Sequence, residues 1–319
     1  MTVKTKGLTA MARVLILAGL FFARSTEAQS SFSVFEDTRF RRGFLLLAPD
    51  SSQGRRVEAV LKGPREEEPP VWFLCQWATG FSLKTAPRKS DRQGNTWWEN
   101  AGKKVLIGSG EKRDLTLEIR GKAEYREHVR REGEAWPHLL VEQDAKHVIT
   151  LDRLQALRLR ISLRLLYFED HMKQAADPRL HAAQFQLFLV VRNLKCRPEG
   201  RSDYFWFGVP FFDNRHEIPK PYRARDAGKA DATGKLIYTI GGRNFLQKSL
   251  KDGFWHHVAV DLLPFIKEGI SYGWKKGFLR SPDVSGYAVV NMNMGWEIPG
   301  AYSGAVRIRD FTLSAQPIR

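Results

Sequence analysis

The sequence contains little cysteine: Cys75 and Cys196 are the only two in 319 residues. A disulfide-stapled scaffold is therefore excluded, and a chain of this length buries enough apolar surface to fold without such bridges. Cys75 lies in the apolar run VWFLCQW, where a free buried cysteine packs as a small hydrophobe. We expect both thiols to be free, and a Cys75–Cys196 disulfide in an exported protein is the alternative.

Motifs for cofactor and nucleic-acid chemistry are also absent. The chain has no P-loop, no dinucleotide fingerprint, no HExxH motif and no cysteine–histidine spacing typical of a zinc site. Its basic residues are scattered, and none belongs to a helix-turn-helix, zinc-finger or RNA-binding signature. The sequence therefore predicts no metal, no cofactor and no nucleic-acid partner. It does not indicate an oligomeric state.

Long apolar runs are missing after the N-terminus, where Val14 to Ala23 form a run of ten. This run follows basic residues and precedes small residues at Thr26 and Ala28, an order typical of a secretory signal peptide. It is shorter than the roughly 20 residues that span a bilayer. We therefore expect a signal peptide at 1–28 and one large domain at 29–319. The protein would be periplasmic, on the cell surface or extracellular, and an uncleaved anchor is the alternative.

Charge is unbalanced, with 51 lysine and arginine residues against 35 acidic ones. A basic exported protein favours polyanions such as acidic polysaccharides or a cell surface. A basic composition without any such partner explains the charge equally well.

Alternation of apolar and polar residues is the main structural signal. From Leu157 to Leu165 every second residue is apolar and the residues between are Arg158, Arg160, Ser162 and Arg164, which predicts a strand with one buried face. Other predicted strands are 114–120, 185–191, 205–212 and 287–296.

Helix signals are few. The best lies at Leu262 to Trp274, with Asp261 as a possible cap and Pro264 in the first turn, and a short one begins near Thr150. Many strands with little helix predict an all-β fold, an antiparallel β-sandwich with one or two short helices.

In each of four otherwise apolar strands, polar residues share one face, because even spacings place side chains on the same side of a strand. They are His138 and Glu142; Gln184 and Gln186; Tyr204 and Trp206; and Asn291, Asn293 and Glu297. Burying such groups without partners costs about 2–7 kcal/mol each. We therefore expect them to line a wet groove on one sheet, where amides and acids bind sugar hydroxyls and rings stack on sugars. A buried hydrogen-bond network that fixes strand register is the alternative.

The region from Trp136 to Ala315 resembles the jelly-roll core of family 12 glycoside hydrolases, which are concanavalin A-like β-sandwiches. The shared features run in the same order: Trp136-Pro137 before a strand, the alternating strand at Leu157, the segment HAAQFQL at 181–187, the aromatic strand at 203–207, WHHVAVDL at 255–262, and GWEIPG at 295–300 before a last strand. The alternative is that the chain belongs to a different family of exported bacterial β-sandwich proteins.

The resemblance implies roles for particular residues. The family ends with Gly-x-Glu before its last strand, and that glutamate is its general acid/base, so Glu297 would take this role. The family's nucleophile lies in a Glu-x-Met-x-Trp strand, whereas this sequence has Asp203 at the start of the corresponding strand and no glutamate. Asp203 or Glu142 is then the expected partner of Glu297.

These patterns together predict a secreted carbohydrate-active β-sandwich. It would either bind a polysaccharide or bind and cleave one. The residues expected to contact substrate are His138, Gln184, Gln186, Tyr204, Trp206, Asn291, Asn293 and Trp296. If the protein is an enzyme, hydrolysis is the first hypothesis for cleavage, and a lyase reaction with a histidine or tyrosine base is the second. The alternative is a non-catalytic surface or matrix module whose polar face is mainly structural.

Overall fold

The computed structural model describes residues 1–2, 31–110, 114–126, 128–172, 175–196, 202–228 and 232–318. The predicted signal peptide lies almost entirely outside the described residues. In the described part, no helix is long and apolar enough to cross a membrane.

Strands dominate the described residues and are numbered along the chain. They are β1 Phe32–Ser33, β2 Gly43–Leu47, β3 Val57–Lys62, β4 Trp72–Cys75, β5 Lys89–Ser90, β6 Thr96–Glu99, β7 Lys103–Ile107, β8 Leu115–Arg120, β9 His138–Asp144, β10 Leu154–Asp170, β11 Gln184–Asn193, β12 Tyr204–Asp213, β13 Tyr222–Arg225, β14 Leu236–Thr239, β15 His256–Asp261, β16 Tyr287–Glu297 and β17 Tyr302–Pro317.

Two sheets contain these strands. The first sheet has the order β15-β10-β17-β8-β7-β6-β5, with β1 paired to β17. The second has the order β13-β14-β12-β11-β16-β9-β4-β2-β3. Pairing is antiparallel except between β2 and β4 and between β12 and β14. The all-β jelly-roll sandwich expected from the sequence is confirmed.

The core lies between the sheets because each sheet turns one apolar face inward. Leu157 to Leu165 alternate as predicted, and all five of their apolar side chains are buried. From the second sheet, Phe185, Phe207 and Trp296 pack into the same cluster. Both cysteines are free, and Cys75 is buried among apolar neighbours.

Helix is sparse, as expected. The described α-helices are α1 Gly121–Glu124 and α2 Leu263–Lys275, and short 3-10 helices cover Ser51–Gln53, Leu151–Arg153, Gly242–Asn244, Leu250–Asp252 and Val284–Gly286. The predicted helix at Leu262 is confirmed within one residue at each end. Asp261 accepts a hydrogen bond from the backbone N–H of Leu263, and Pro264 occupies the first turn. The short helix predicted near Thr150 is the 3-10 helix at Leu151–Arg153.

Candidate functional site

The predicted polar residues of β11 and β16 lie on one face of the second sheet. Gln184 is paired with Glu297, and two residues further along β11 Gln186 is paired with Gly295. Continuing in the same phase, Phe188 is paired with Asn293 and then Val190 with Asn291. Directly paired residues project from the same side of a sheet, so the predicted sharing of one face is confirmed. Residues between them, such as Phe185, fill the core, so this face points away from the first sheet.

Strands β9 and β12 extend the same face on either side. On β9, His138 is paired with Glu297 and Glu142 with Asn293. On β12, Trp206 is paired with Val190 of β11. We call this surface the polar face: His138, Glu142, Gln184, Gln186, Tyr204, Trp206, Asn291, Asn293 and Glu297. Gln184, Tyr204, Trp206 and Glu297 are partly exposed, and the others are buried.

Two predicted site residues do not belong to the polar face. Trp296 points into the core, where it is fully buried, contacts Phe185 and Phe212, and donates its indole N–H to the carbonyl of Leu117 at 3.0 Å. Its neighbour Gly295 has φ +154°, and a Cβ there would lie 2.1 Å from the carbonyl oxygen of Leu139. The prediction that Trp296 contacts substrate is therefore wrong.

Asp203 is the second. It is buried at the far end of β11, where its carboxylate accepts hydrogen bonds from Asn193 at 3.1 Å and from the hydroxyl of Tyr287 at 3.4 Å. Glu297 pairs with the first residue of β11, so nine residues of strand, about 30 Å at 3.3 Å each, separate the two carboxylates. The prediction of Asp203 as the catalytic partner of Glu297 is wrong, because Asp203 instead fixes the end of the strand pair.

Glu297 lies among donors from three other elements. Its Oε2 accepts a hydrogen bond from the indole N–H of Trp136 at 3.3 Å and lies 3.5 Å from Nε2 of His138. Its Oε1 accepts from the amide of Gln186 at 3.4 Å. With 18% of its side chain exposed, Glu297 combines fixed hydrogen bonds with access to solvent. These contacts fix the orientation of the Glu297 carboxylate, which remains accessible to a ligand on the polar face.

His138 is held between two tryptophan rings. Its ring stacks on Trp136 at 5.9 Å and meets the edge of Trp77 at 5.7 Å, and only 5% of the side chain is exposed. Nδ1 lies 2.8 Å from the carbonyl oxygen of Trp136, which can only accept, so Nδ1 carries a proton. Nε2 on the other side of the ring faces the Glu297 carboxylate, so the backbone carbonyl and the carboxylate together orient the imidazole.

A further carboxylate, Asp213, shares the row of Glu297 and was not predicted. Asp213 is paired with Gln184, which is itself paired with Glu297, and Gln184 donates to Asp213 at 3.0 Å. Arg215 binds Asp213 through two hydrogen bonds, at 2.9 and 2.7 Å. Burial opposes ionisation of Asp213, but Arg215 and Gln184 outweigh it, so the pKa of this carboxyl lies below its usual value.

Glu142 belongs to a separate cluster along the face. Arg55 donates to Glu142 and to Asp144, each through two hydrogen bonds of 2.5 to 2.8 Å, and Asn291 donates to both carboxylates. The hydrogen bond and charge of Arg55 hold the pKa of Asp144 below its usual value. Burial raises the pKa of the Cys75 thiol, whose Sγ lies 3.5 Å from Glu142.

The register separates Glu142 from Glu297. Glu142 lies four residues along β9 from His138, the partner of Glu297, which is about 13 Å of strand. Its side chain binds Arg55 and Asn291, and Asn291 lies still further from Glu297 on β16. The two glutamates are therefore not brought together as the predicted catalytic pair.

Aromatic side chains cover the β12 side of the polar face. The ring of Trp206 contacts Tyr204 at 5.8 Å and Phe188 at 6.2 Å, both edge to face. The indole N–H of Trp206 donates to Thr233 at 3.2 Å, which fixes the ring plane. Partly exposed rings with a fixed plane are suited to stacking on the apolar faces of sugars.

Among the described residues, no group of three or more histidine, cysteine, aspartate or glutamate side chains is arranged to hold a metal ion. The candidate site consists of amides, carboxylates, one histidine and aromatic rings, and its described carboxylates are not grouped as ligands around a common point.

No protein-family model matches the sequence, and no curated protein matches it. Solved structures do match the fold at low identity. A family 12 xyloglucanase from Bacillus licheniformis is 8% identical, with a TM-score of 0.43, covering 72% of this chain and 97% of its own. Endoglucanase cel12A from Rhodothermus marinus is 11% identical, with a TM-score of 0.37, covering 78% and 100%. The family 11 xylanase from Neocallimastix patriciarum is 8% identical, with a TM-score of 0.36, covering 72% and 94%.

Proposed function

We propose that this protein binds a polysaccharide along the polar face of the second sheet. The observation that carries the proposal is Asn293, at the centre of that face between Glu142 and Phe188. Asn293 is 6% exposed, and no hydrogen bond of its amide to the described residues is found. The amide atoms are not among the fully buried unpaired ones, so they reach solvent on the polar face. An amide that its neighbours hold in place but do not bond is available to a sugar hydroxyl, which would replace water there.

The surroundings of Asn293 support a sugar as the ligand. Rings of Tyr204 and Trp206 lie on one side, and the acidic pair Glu142 and Asp144 on the other. From Gln184 to Arg192 the face extends over eight residues of β11, about 26 Å at 3.3 Å each, which suits an extended chain rather than a small molecule. We further propose export, as the predicted signal peptide at 1–28 requires.

Hydrolysis is the second candidate, favoured by the row that contains Glu297 and Asp213. Two strand spacings separate their backbones, about 10 Å, which is closest to the 6.5–9.5 Å separation of carboxyl groups in inverting glycosidases. Glu297 would act as the acid. Asp213 is already bound by Arg215, and this ion pair competes with a role as the base. Binding is therefore the function that the geometry supports best.

The test compares two buried asparagines by glycan array, calorimetry and thermal unfolding. Asn293→Leu removes an unpaired amide, so we expect glycan affinity to fall about tenfold while stability is unchanged or higher. Asn193→Leu is the matched control, because it removes a donor to the buried carboxylate of Asp203 and should cost about 1–3 kcal/mol.

A loss of stability in Asn293→Leu without any glycan bound by the wild type would favour the structural alternative. Reducing-end assays on the bound glycan separate binding from hydrolysis. Product that disappears in Glu297→Gln would support the hydrolase, and absence of product in the wild type would leave a binding protein.

A further inference from the structure

The outer side of the first sheet carries a stripe of arginines. In β10 the apolar residues face the core, so Arg158, Arg160 and Arg164 face away from it, and all three are exposed. On the neighbouring strand, Arg307 is paired with Arg164, and Arg309 is paired with Ser162. We call these five residues the arginine stripe.

Carboxylates neutralise only part of the stripe. Arg307 binds Asp114 at 2.5 Å, and Arg309 lies 3.6 Å from Asp310. Arg158 and Arg164 donate instead to neutral acceptors, at 2.8 and 2.7 Å. Asp261 is paired with Arg158 but accepts from backbone N–H groups and forms no salt bridge within the described chain. The three guanidinium groups on β10 thus keep their charge exposed, with Ser162, which donates to Asp310 at 3.2 Å, between Arg160 and Arg164.

Strand stability does not explain this placement. Arg164 and Arg307 are directly paired, and like charges at paired positions destabilise a sheet. Arg160 is paired through its backbone on both sides, but its side chain makes no hydrogen bond or ion pair in the part of the chain that the structure describes. All five residues are arginine, which binds carboxylate and sulfate through two parallel hydrogen bonds, and none is lysine. The feature therefore fits an anionic ligand better than a solvated sheet surface.

An aromatic turn lies at one end of the stripe. The carbonyl of Gly253 accepts from Arg164, and the next residue, Phe254, is 72% exposed. Trp255 follows and stacks against the guanidinium of Arg309 at 3.9 Å. Arginines beside exposed rings combine charge recognition with a surface on which a sugar ring can stack.

We propose that the arginine stripe binds a linear acidic polysaccharide whose carboxylates lie against Arg158, Arg160 and Arg164. The stripe runs along β10 over six residues, about 20 Å, with arginines about 7 Å apart where they alternate. A straight row of this length matches a polymer with repeating charges. The site is on the opposite sheet from the polar face, so it would hold a charged chain outside the site that contains Glu297.

The test uses polygalacturonate as the probe and the full chain after export. We expect the triple variant R158Q/R160Q/R164Q to lose affinity at least about tenfold at low salt, because exposed guanidinium–carboxylate contacts supply the binding. The matched control K220Q/K275Q/K276Q removes the same charge from exposed positions off the stripe and should change affinity less than about threefold.

Equal losses of affinity in the two triple variants would overturn the proposal, because the net charge of the protein alone would then explain its binding to polygalacturonate. Double-stranded DNA or anionic vesicles bound as tightly as polygalacturonate, and lost with the stripe, would also overturn it. Binding of a neutral glucan tests the polar face separately, since Asn293→Leu should weaken it while the stripe variant leaves it intact. The two proposals therefore fail by different results.

Discussion

At the scale of single residues, Asp213 makes the stability of this protein depend on pH. Its side chain is 7% exposed and is bound by Arg215, and its pKa lies below the usual value despite burial. A carboxyl whose pKa is lower in the folded state contributes stability above its unfolded pKa, near 4, and loses it as pH falls through the folded pKa.

We therefore expect Asp213→Asn to lower the free energy of unfolding at pH 7 by about 1–3 kcal/mol, with the difference from the wild type shrinking below about pH 4. Urea unfolding at several pH values measures this. Asp177→Asn is the control, since Asp177 and Arg179 form the same i, i+2 pair on an exposed surface, where such pairs contribute little. A pH-independent difference for Asp213→Asn would contradict the expectation.

The sequence analysis missed Asp213 because one extra residue changes the phase of its strand. Tyr204 and Trp206 lie on the polar face, so strict alternation would send Asp213 toward the core. In the structure, Gln186 is paired with Pro210 and Phe185 with Phe212, so the residue between, Phe211, has no partner. This bulge returns Asp213 to the polar face. A bulge depends on pairing between strands, which no period within one strand reveals.

At the scale of elements, alternation was sufficient for strands β9, β11 and β16 and for β12 up to its bulge, and it placed nine of the predicted site residues on one face. The prediction for Trp296 failed because a tryptophan was assigned to the sugar site for its residue type. Asn293 and Glu297 occupy odd-numbered positions of β16, which face the polar side, whereas Trp296 occupies an even-numbered position, which faces the core. Asp203 failed for a related reason, since it precedes β12 and lies at the wrong end of the sheet. The distance between residues on different strands can be predicted only when the register of the strands is known, and register is set by tertiary contacts.

Two tryptophans on opposite faces of the second sheet provide a test of this assignment. Trp296→Ala should cost about 3–5 kcal/mol, because it leaves a cavity beside Phe185 and Phe212. Trp206→Ala should cost only about 1 kcal/mol but weaken glycan binding about three- to tenfold through lost stacking. Denaturant unfolding and calorimetry together separate the two. Similar stability losses in both variants would contradict the assignment of Trp206 to a binding surface.

At the scale of the whole molecule, a buried ion pair links the two sheets near the site. Lys103 belongs to β7 of the first sheet, and its ammonium lies 3.2 Å from Glu124 of α1, with both side chains almost completely buried. Glu124 also accepts from Thr79 at 2.5 Å and from the backbone N–H of Gly80 at 2.9 Å. Those residues follow β4 of the second sheet and begin two residues after Trp77, which contacts His138.

Removing one member of this pair should therefore affect both stability and the site. Lys103→Met leaves the Glu124 carboxylate buried without its cation, so we expect a loss of about 3–5 kcal/mol. The double variant Lys103→Met/Glu124→Gln removes both charges and should recover part of that loss, which urea unfolding measures. Because the loop that is released carries Trp77, glycan affinity should fall in the single variant and recover in the double. Equal destabilisation in both variants would show that packing, rather than the paired charges, holds the loop between the sheets.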